Sequence, residues 1–294
     1  MADYSIPTSF IKTYEQNIQL LVQQLETQFR DKVFVKPLTG QKHYVDFIGT
    51  ASPAKRLASA APTVHTNVAH SRSRIMPETY DLATLVDRND ILRMGTDPTN
   101  DYMKAFRAGY NRFIDEMILS QAIGTRYAVS TDDETETAIS LGSDQIVAES
   151  GTGAMSLAKI RAALKIFNLN DIPPEEEKML ALTPQAIDNL LNEPEVIDSQ
   201  ANIIALNSIQ DGKIAKLFGF NIYMTNRLPA PVNNIQSHVA WVKNGVCLGI
   251  MKDIESRVTE ESQFNFAIQL WMSMDFGVTR LQEKQVVLIQ SYQQ

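Results

Sequence analysis

Apolar residues along this chain fall into two periods, and the longest run of each period has the same reach. From Asp97 to Gly124 they recur at Tyr102, Phe106, Tyr110, Phe113/Ile114 and Met117/Ile118, the spacing of one helix face. Asp97 is a suitable N-cap, Pro98 suits the first helical position, and Gly124 is placed to close the helix. A rise of 1.5 Å per residue makes such a helix about 40 Å long. Phe264, Phe266, Ile268, Leu270, Met272, Met274 and Phe276 instead alternate strictly, the period of a half-buried strand. At about 3.3 Å per residue that strand also spans roughly 40 Å, about twice the usual strand length. A helix and a strand of matched reach predict an elongated body.

The other elements follow from shorter patterns. Residues 8–29 predict an amphipathic helix with Phe10, Tyr14, Ile18, Leu21, Leu25 and Phe29 on one stripe, covered by its own core or by a neighbouring subunit. Val33–Pro37, His43–Ile48 and Thr79–Val86 read as strands, with a helical turn near Asn89–Met94 and a hairpin around Leu141–Ser143. Ser156 caps a helix carrying Leu157, Ile160, Leu164 and Phe167 inward. Met179–Leu182 reads as a buried strand, Thr183-Pro184 opens a helix to Leu191, and Phe220, Ile222 and Met224 share a strand face. Asn244-Gly245 between two apolar runs predicts a type I′ hairpin over Val239–Ile250, and Val286–Ile289 is a last strand. Helix and strand alternate from 156 to 236, which marks an α/β unit inserted into a body built from the segments on either side.

Charge changes the picture in one place. The 294 residues are 44% hydrophobic and 21% charged with a formal charge of −7, a globular composition that argues against general phosphate binding. Residues 49–76 nevertheless contain no acidic residue and carry Lys55, Arg56, Arg72 and Arg74 with His65 and His70. The segment is rich in Ala, Ser, Thr and Pro, has no helical stripe, and is long for a connection inside a domain. Thr63–Ala69 is β-branched enough to form one arm of an extended hairpin. Such a loop is built to meet something negative: nucleic acid, a small anion, or the acidic surface of another copy.

Catalytic signals are missing from this pattern. There is no G-x-S-x-G elbow, and Gly151-Thr152-Gly153 lacks the ending of a phosphate-binding loop and reads as a flexible joint. Cys247 sits among aliphatic neighbours as a structural thiol, and a single cysteine fits a reducing compartment. His65 and His70 have no zinc-ligand spacing, and the carboxylates at Asp132–Glu136 lack the order of a calcium loop. No cofactor or metal is expected, and no apolar run approaches a membrane span.

The order of these parts resembles the major capsid proteins of tailed bacteriophages, a fold shared with encapsulins. GKIAKLFGFNIYMTNRLP is similar to the family's segment near the end of its axial (A) domain, and VAWVKNGVCLGI with FGVTRLQEKQVVLIQ is similar to its closing strands. The resemblance implies an α+β fold divided as an N-terminal arm (1–30), peripheral (P) domain strands (31–48), an extended E-loop (49–76), P-domain with the spine helix 97–124 (77–155), an inserted A-domain (156–236) and P-domain return strands (237–294). It implies a non-enzymatic coat protein that assembles in the host cytoplasm as hexamers and pentamers of a virion capsid. Double-stranded DNA would be packaged inside without sequence-specific binding, and portal and decoration proteins would be partners. A separate scaffolding protein is expected, because the chain opens almost directly on the arm. Lys55, Arg56, Arg72 and Arg74 on the loop and Phe10, Tyr14, Ile18 and Leu21 on the arm are then the expected inter-subunit contacts. An encapsulin-like cargo compartment is the alternative within the fold, and an enzyme using residues 156–236 the alternative outside it.

Overall fold

The computed structural model describes residues 24–53, 55, 65, 68, 70–87, 99–130, 135–148, 153–193 and 216–293. Among them the chain forms strands β1 (Phe34–Pro37), β2 (His43–Ile48), β3 (His70–Ile75) and β4 (Glu78–Val86), then helix α1 (Thr99–Ile123). Next come β5 (Arg126–Ser130), β6 (Glu136–Ile139), β7 (Ile146–Val147), α2 (Leu157–Leu169), β8 (Lys178–Leu182) and α3 (Pro184–Leu191). The last six strands are β9 (Lys216–Leu217), β10 (Phe220–Met224), β11 (Ile235–Val242), β12 (Val246–Glu261), β13 (Ala267–Arg280) and β14 (Val286–Tyr292). They build three sheets, ordered β1-β12-β13-β4, β7-β14-β11-β8-β10-β9 and β2-β3-β5-β6.

The described residues cluster into two compact units, the smaller drawing on 24–26, 79–87, 99–112 and 254–274 and the larger on the rest. In the smaller unit Tyr110 is the anchor of α1. Its ring is buried, and its hydroxyl lies 2.7 Å from the Tyr80 carbonyl oxygen and 2.8 Å from that of Met272. Burial pushes this phenol up to about 12, so it stays a neutral donor.

The larger unit is organised on the six-stranded sheet. All five residues of β8 are buried, because both faces of this strand are covered. One face receives Leu157, Ile160, Ala163 and Phe167 of α2 and Ala186, Ile187 and Leu190 of α3 against Leu180, Leu182, Phe220, Ala240, Val242 and Val287. Both helices start as their sequence dictates, with Ser156 Oγ accepting from Lys159 N–H and Thr183 Oγ1 from Ala186 N–H. Phe29, on the N-terminal side of β1, packs edge-on against Trp241 and Tyr223 at 5.4 and 5.8 Å.

Several expectations are corrected. Val239–Ile250 is not a hairpin. β11 pairs with β8 and β14 while β12 pairs with β1, and Lys243–Gly245 is a 3-10 turn between the two sheets. Neither Asn244 nor Gly245 takes the left-handed backbone that a type I′ turn needs. Gly245 is required for approach instead, since a Cβ there would stand 2.8 Å from the Gln285 carbonyl oxygen.

The hairpin expected at Leu141–Ser143 is likewise a 3-10 turn, with β6 paired to β5 and β7 to β14. Residues 24–29 are not helical, so the predicted 8–29 helix does not reach Phe29; its stretch up to residue 23 lies outside the described residues, as do Asn89–Met94. β13 begins at Ala267 rather than Phe264, because Asn265 and Phe266 adopt left-handed backbone (φ 52° and 57°) and turn the chain.

Candidate functional site

The basic segment 49–76 is rooted in the four-stranded sheet, and pairing explains how. β2 and β3 run antiparallel in register from His43↔Ile75 to Ile48↔His70, so the intervening residues leave and re-enter the same sheet. β3 then pairs with β5, and β5 with β6. Alternation along β3 sends Ser73 and Ile75 into the interior and Arg72 and Arg74 to the opposite face.

That face is charged, and its cations are paired within the chain. Arg72 Nε donates to Asp46 Oδ1 at 2.8 Å, directly across the register from it. Arg74 pairs with Glu136, whose other oxygen accepts from Lys42 Nζ at 2.9 Å, and the Arg74 guanidinium lies 4.3 Å over the Tyr127 ring. The hydrogen bonds from Arg74 and then Lys42 hold the Glu136 carboxyl down at about 2, fully ionised at neutral pH. Two of the four expected loop contacts are therefore engaged by their own chain. Lys55 is exposed, while Arg56 and the arm residues Phe10, Tyr14, Ile18 and Leu21 lie outside the described residues.

Behind the sheet is a second set of charges. Arg126 opens β5 and its guanidinium donates to Ser73 Oγ at 2.6 Å, to the Leu281 carbonyl at 2.9 Å and to both oxygens of Glu283, the Oε2 bond being 3.0 Å. Arg280 ends β13 and is 0% exposed. It donates to the carbonyls of Ala122 at 3.1 Å, Gly124 at 2.6 Å and Ile139 at 3.1 Å. The C-terminus of α1 is thus capped by an arginine from the far end of the chain; Gly124 does not take the left-handed conformation expected of a closing glycine. Burial lowers the Arg280 pKa, and Glu283 opposes that shift. Among the described residues an apolar cluster of Leu38, Ile75, Cys247 and Leu281 lies here, with Val45 and Phe47 packed against it. Cys247 is a buried thiol pushed up to about 12, inert as a nucleophile.

A buried carboxylate fixes where the N-terminal segment joins this unit. Asp115, 0% exposed in α1, accepts from the backbone N–H of Gln28 at 3.0 Å and Phe29 at 3.3 Å. Trp241 Nε1–H donates to the Lys32 carbonyl at 3.1 Å. Pattern reading missed Asp115, Arg126, Arg280 and Glu283. The available signal was a charge on a position that the period sends inward: Asp115 beside Ile114 and Ile118, Arg280 two residues beyond Val278 and four beyond Phe276.

A groove of about 340 Å³ lies between α1 and the loop after β10, lined by Phe113, Met117, Leu228 and Pro229 and bordered by the Glu116–Arg227 ion pair at 3.2 Å.

The sequence model of the phage capsid protein family matches residues 6–292. No curated protein matches the chain by sequence. The capsid structure of cyanophage P-SCSP1u is similar with a TM-score of 0.72 and 16% identity, over 97% of this chain and 94% of that one. The capsid asymmetric unit of cyanophage Pam1 gives 0.70 and 13%, covering 99% of each chain. The head structure of Helicobacter pylori bacteriophage KHP40 gives 0.70 and 10%, over 96% of this chain and 95% of that one.

Proposed function

The chain belongs to the phage capsid protein family, and from that footing we propose that its copies assemble as hexamers and pentamers of an icosahedral head around double-stranded DNA. It is a structural major capsid protein. The observation that carries the reading is the family match over nearly the whole length, with the fold of phage heads to support it. Assembly takes place in the host cytoplasm, aided by a scaffolding protein and completed at a portal, with decoration protein added outside.

Within the shell the basic loop divides its labour. Lys55 and Arg56 reach an acidic surface of a neighbouring copy, a partner that suits the net charge of −7 on each chain. Arg72 and Arg74 brace the root of the loop through Asp46 and Glu136, so their contribution to contact is to aim it. Phe10, Tyr14, Ile18 and Leu21 pack on a neighbour as the arm. DNA inside needs no grip from the wall.

Negative-stain electron microscopy with light scattering on the purified protein, alone and co-expressed with a scaffolding protein, tests this. Rings, tubes or closed shells are expected. A uniform monomer in both preparations would overturn the reading.

A further inference from the structure

Two buried guanidinium groups share one carboxylate at the root of the basic loop. Arg126 holds Glu283 through both oxygens. Arg280 aims its Nε at the same Oε1 from 3.9 Å, too far for a hydrogen bond, and that buried Nε has no acceptor. An ordinary N–H···O distance is about 2.9 Å, so a shift of about 1 Å would bring Glu283 onto Arg280. We propose that Glu283 is a two-position latch between Arg126 and Arg280 that couples the root of the basic loop to the C-terminal end of α1.

Charge compensation decides where the carboxylate rests. Two cations and one anion leave one positive charge without a carboxylate, and that charge must rest on dipoles. Arg280 is better equipped to carry it, with three backbone carbonyls and the negative end of α1, against one carbonyl and one hydroxyl for Arg126. Glu283 accordingly sits on Arg126. Arg126 belongs to β5, and its other partners are Ser73 of β3 and Leu281. When β3 and β5 shift, those two bonds are strained first, and Arg126 becomes the weaker host for the carboxylate. Glu283 then transfers to the waiting Nε of Arg280. A buried ion pair survives in either position, whereas a fixed pair would be broken and leave a stranded charge. The loop root thereby moves without undoing the unit, and each movement tightens or releases the cap on α1.

Amide hydrogen exchange on the full chain tests the latch, and it does not depend on assembly. In Arg126→Gln, exchange at 72–75 and 127–129 should rise by roughly tenfold while exchange at 120–124 slows, because Glu283 now adds to the cap. In Glu283→Gln both segments should exchange faster. If Arg126→Gln speeds both segments, or leaves 120–124 unchanged, Glu283 is a fixed partner of Arg126 and the latch is refuted. Should Arg126→Gln fail to fold, Arg126→Lys carries the same test: it loses the bidentate fork but keeps the charge, and the helix end must again gain protection.

Discussion

Acid should weaken this fold through one imidazole. His238 on β11 is 0% exposed, its Nε2 lies 2.8 Å from Ser291 Oγ on β14, and its Nδ1 has no hydrogen-bond partner. In the charged ring both nitrogens carry protons, so Nδ1–H would be buried with no acceptor, near the Lys159 ammonium. Burial first and Lys159 second therefore lower the His238 pKa from 6.5 to about 3. The sign follows from linkage: the unfolded chain binds this proton near pH 6.5 and the folded chain only near 3. Stability from the neutral ring is complete above pH 6.5 and is lost as the pH falls toward 3. At about 1.4 kcal/mol per pH unit the total loss is roughly 5 kcal/mol, of which about 3 kcal/mol is gone by pH 4.5. His238→Gln retains a group able to bond Ser291 but takes up no proton. Urea unfolding of both chains at pH 7.5, 5.5 and 4.5 gives the answer as a difference, in which carboxylate titrations cancel. The variant should be the less stable chain at pH 7.5 and gain about 3 kcal/mol on the natural chain by pH 4.5. A difference constant to within about 0.5 kcal/mol across that range would refute the reasoning.

Four other outcomes are expected. Arg280→Leu leaves three carbonyls uncapped and should lower stability by about 3–5 kcal/mol in urea unfolding, with a loss under about 1 kcal/mol counting against the cap. Gly245→Ala drives a methyl into the Gln285 carbonyl and should lose about 1–3 kcal/mol, read as a fall in Tm. Lys55→Glu with Arg56→Glu should change stability by no more than about 0.5 kcal/mol while abolishing shells in electron micrographs; normal shells would remove the electrostatic role of the loop. Arg74→Glu should instead lower Tm, since it sets a carboxylate against Glu136, and an unchanged Tm would mean the brace is dispensable.

What was legible in the sequence depended on how far away the decisive partner lay. Helix α1 and strand β13 announce themselves because one face of each is apolar along its length, and Ser156 and Thr183 cap their helices through bonds three residues away. β12 was recognised only over its first five residues. Its remainder, Met251–Glu261, is largely exposed, so no alternation marks it as a strand. Asn244-Gly245 misled for the opposite reason: the pair is a strong local signal, but the strands beside it are claimed by β8, β14 and β1. The loop charges were visible while their counter-ions were not. Asp46 and Glu136 become neighbours of Arg72 and Arg74 only through strand register, and Arg126 meets Glu283 across most of the chain.

The buried charges at the loop root answer a problem of geometry that apolar packing solves poorly there. Beside sheet β2-β3-β5-β6 lies an apolar cluster around Ile75 and Leu281, and contacts among apolar groups favour burial without favouring one orientation. Hydrogen bonds from a planar guanidinium are directional, and the fork of Arg126 fixes Ser73, Leu281 and Glu283 relative to one another. Arg280 does the same for the end of α1 and β6. In the proposed shell every contact is repeated from copy to copy, so an error in angle at the loop root would repeat with it. Desolvated arginines are an expensive way to add stability, and replacing such pairs with apolar residues often leaves a protein no weaker. Their value at this position lies in the directional bonds by which they tie β3, β5, β6 and the end of α1 together.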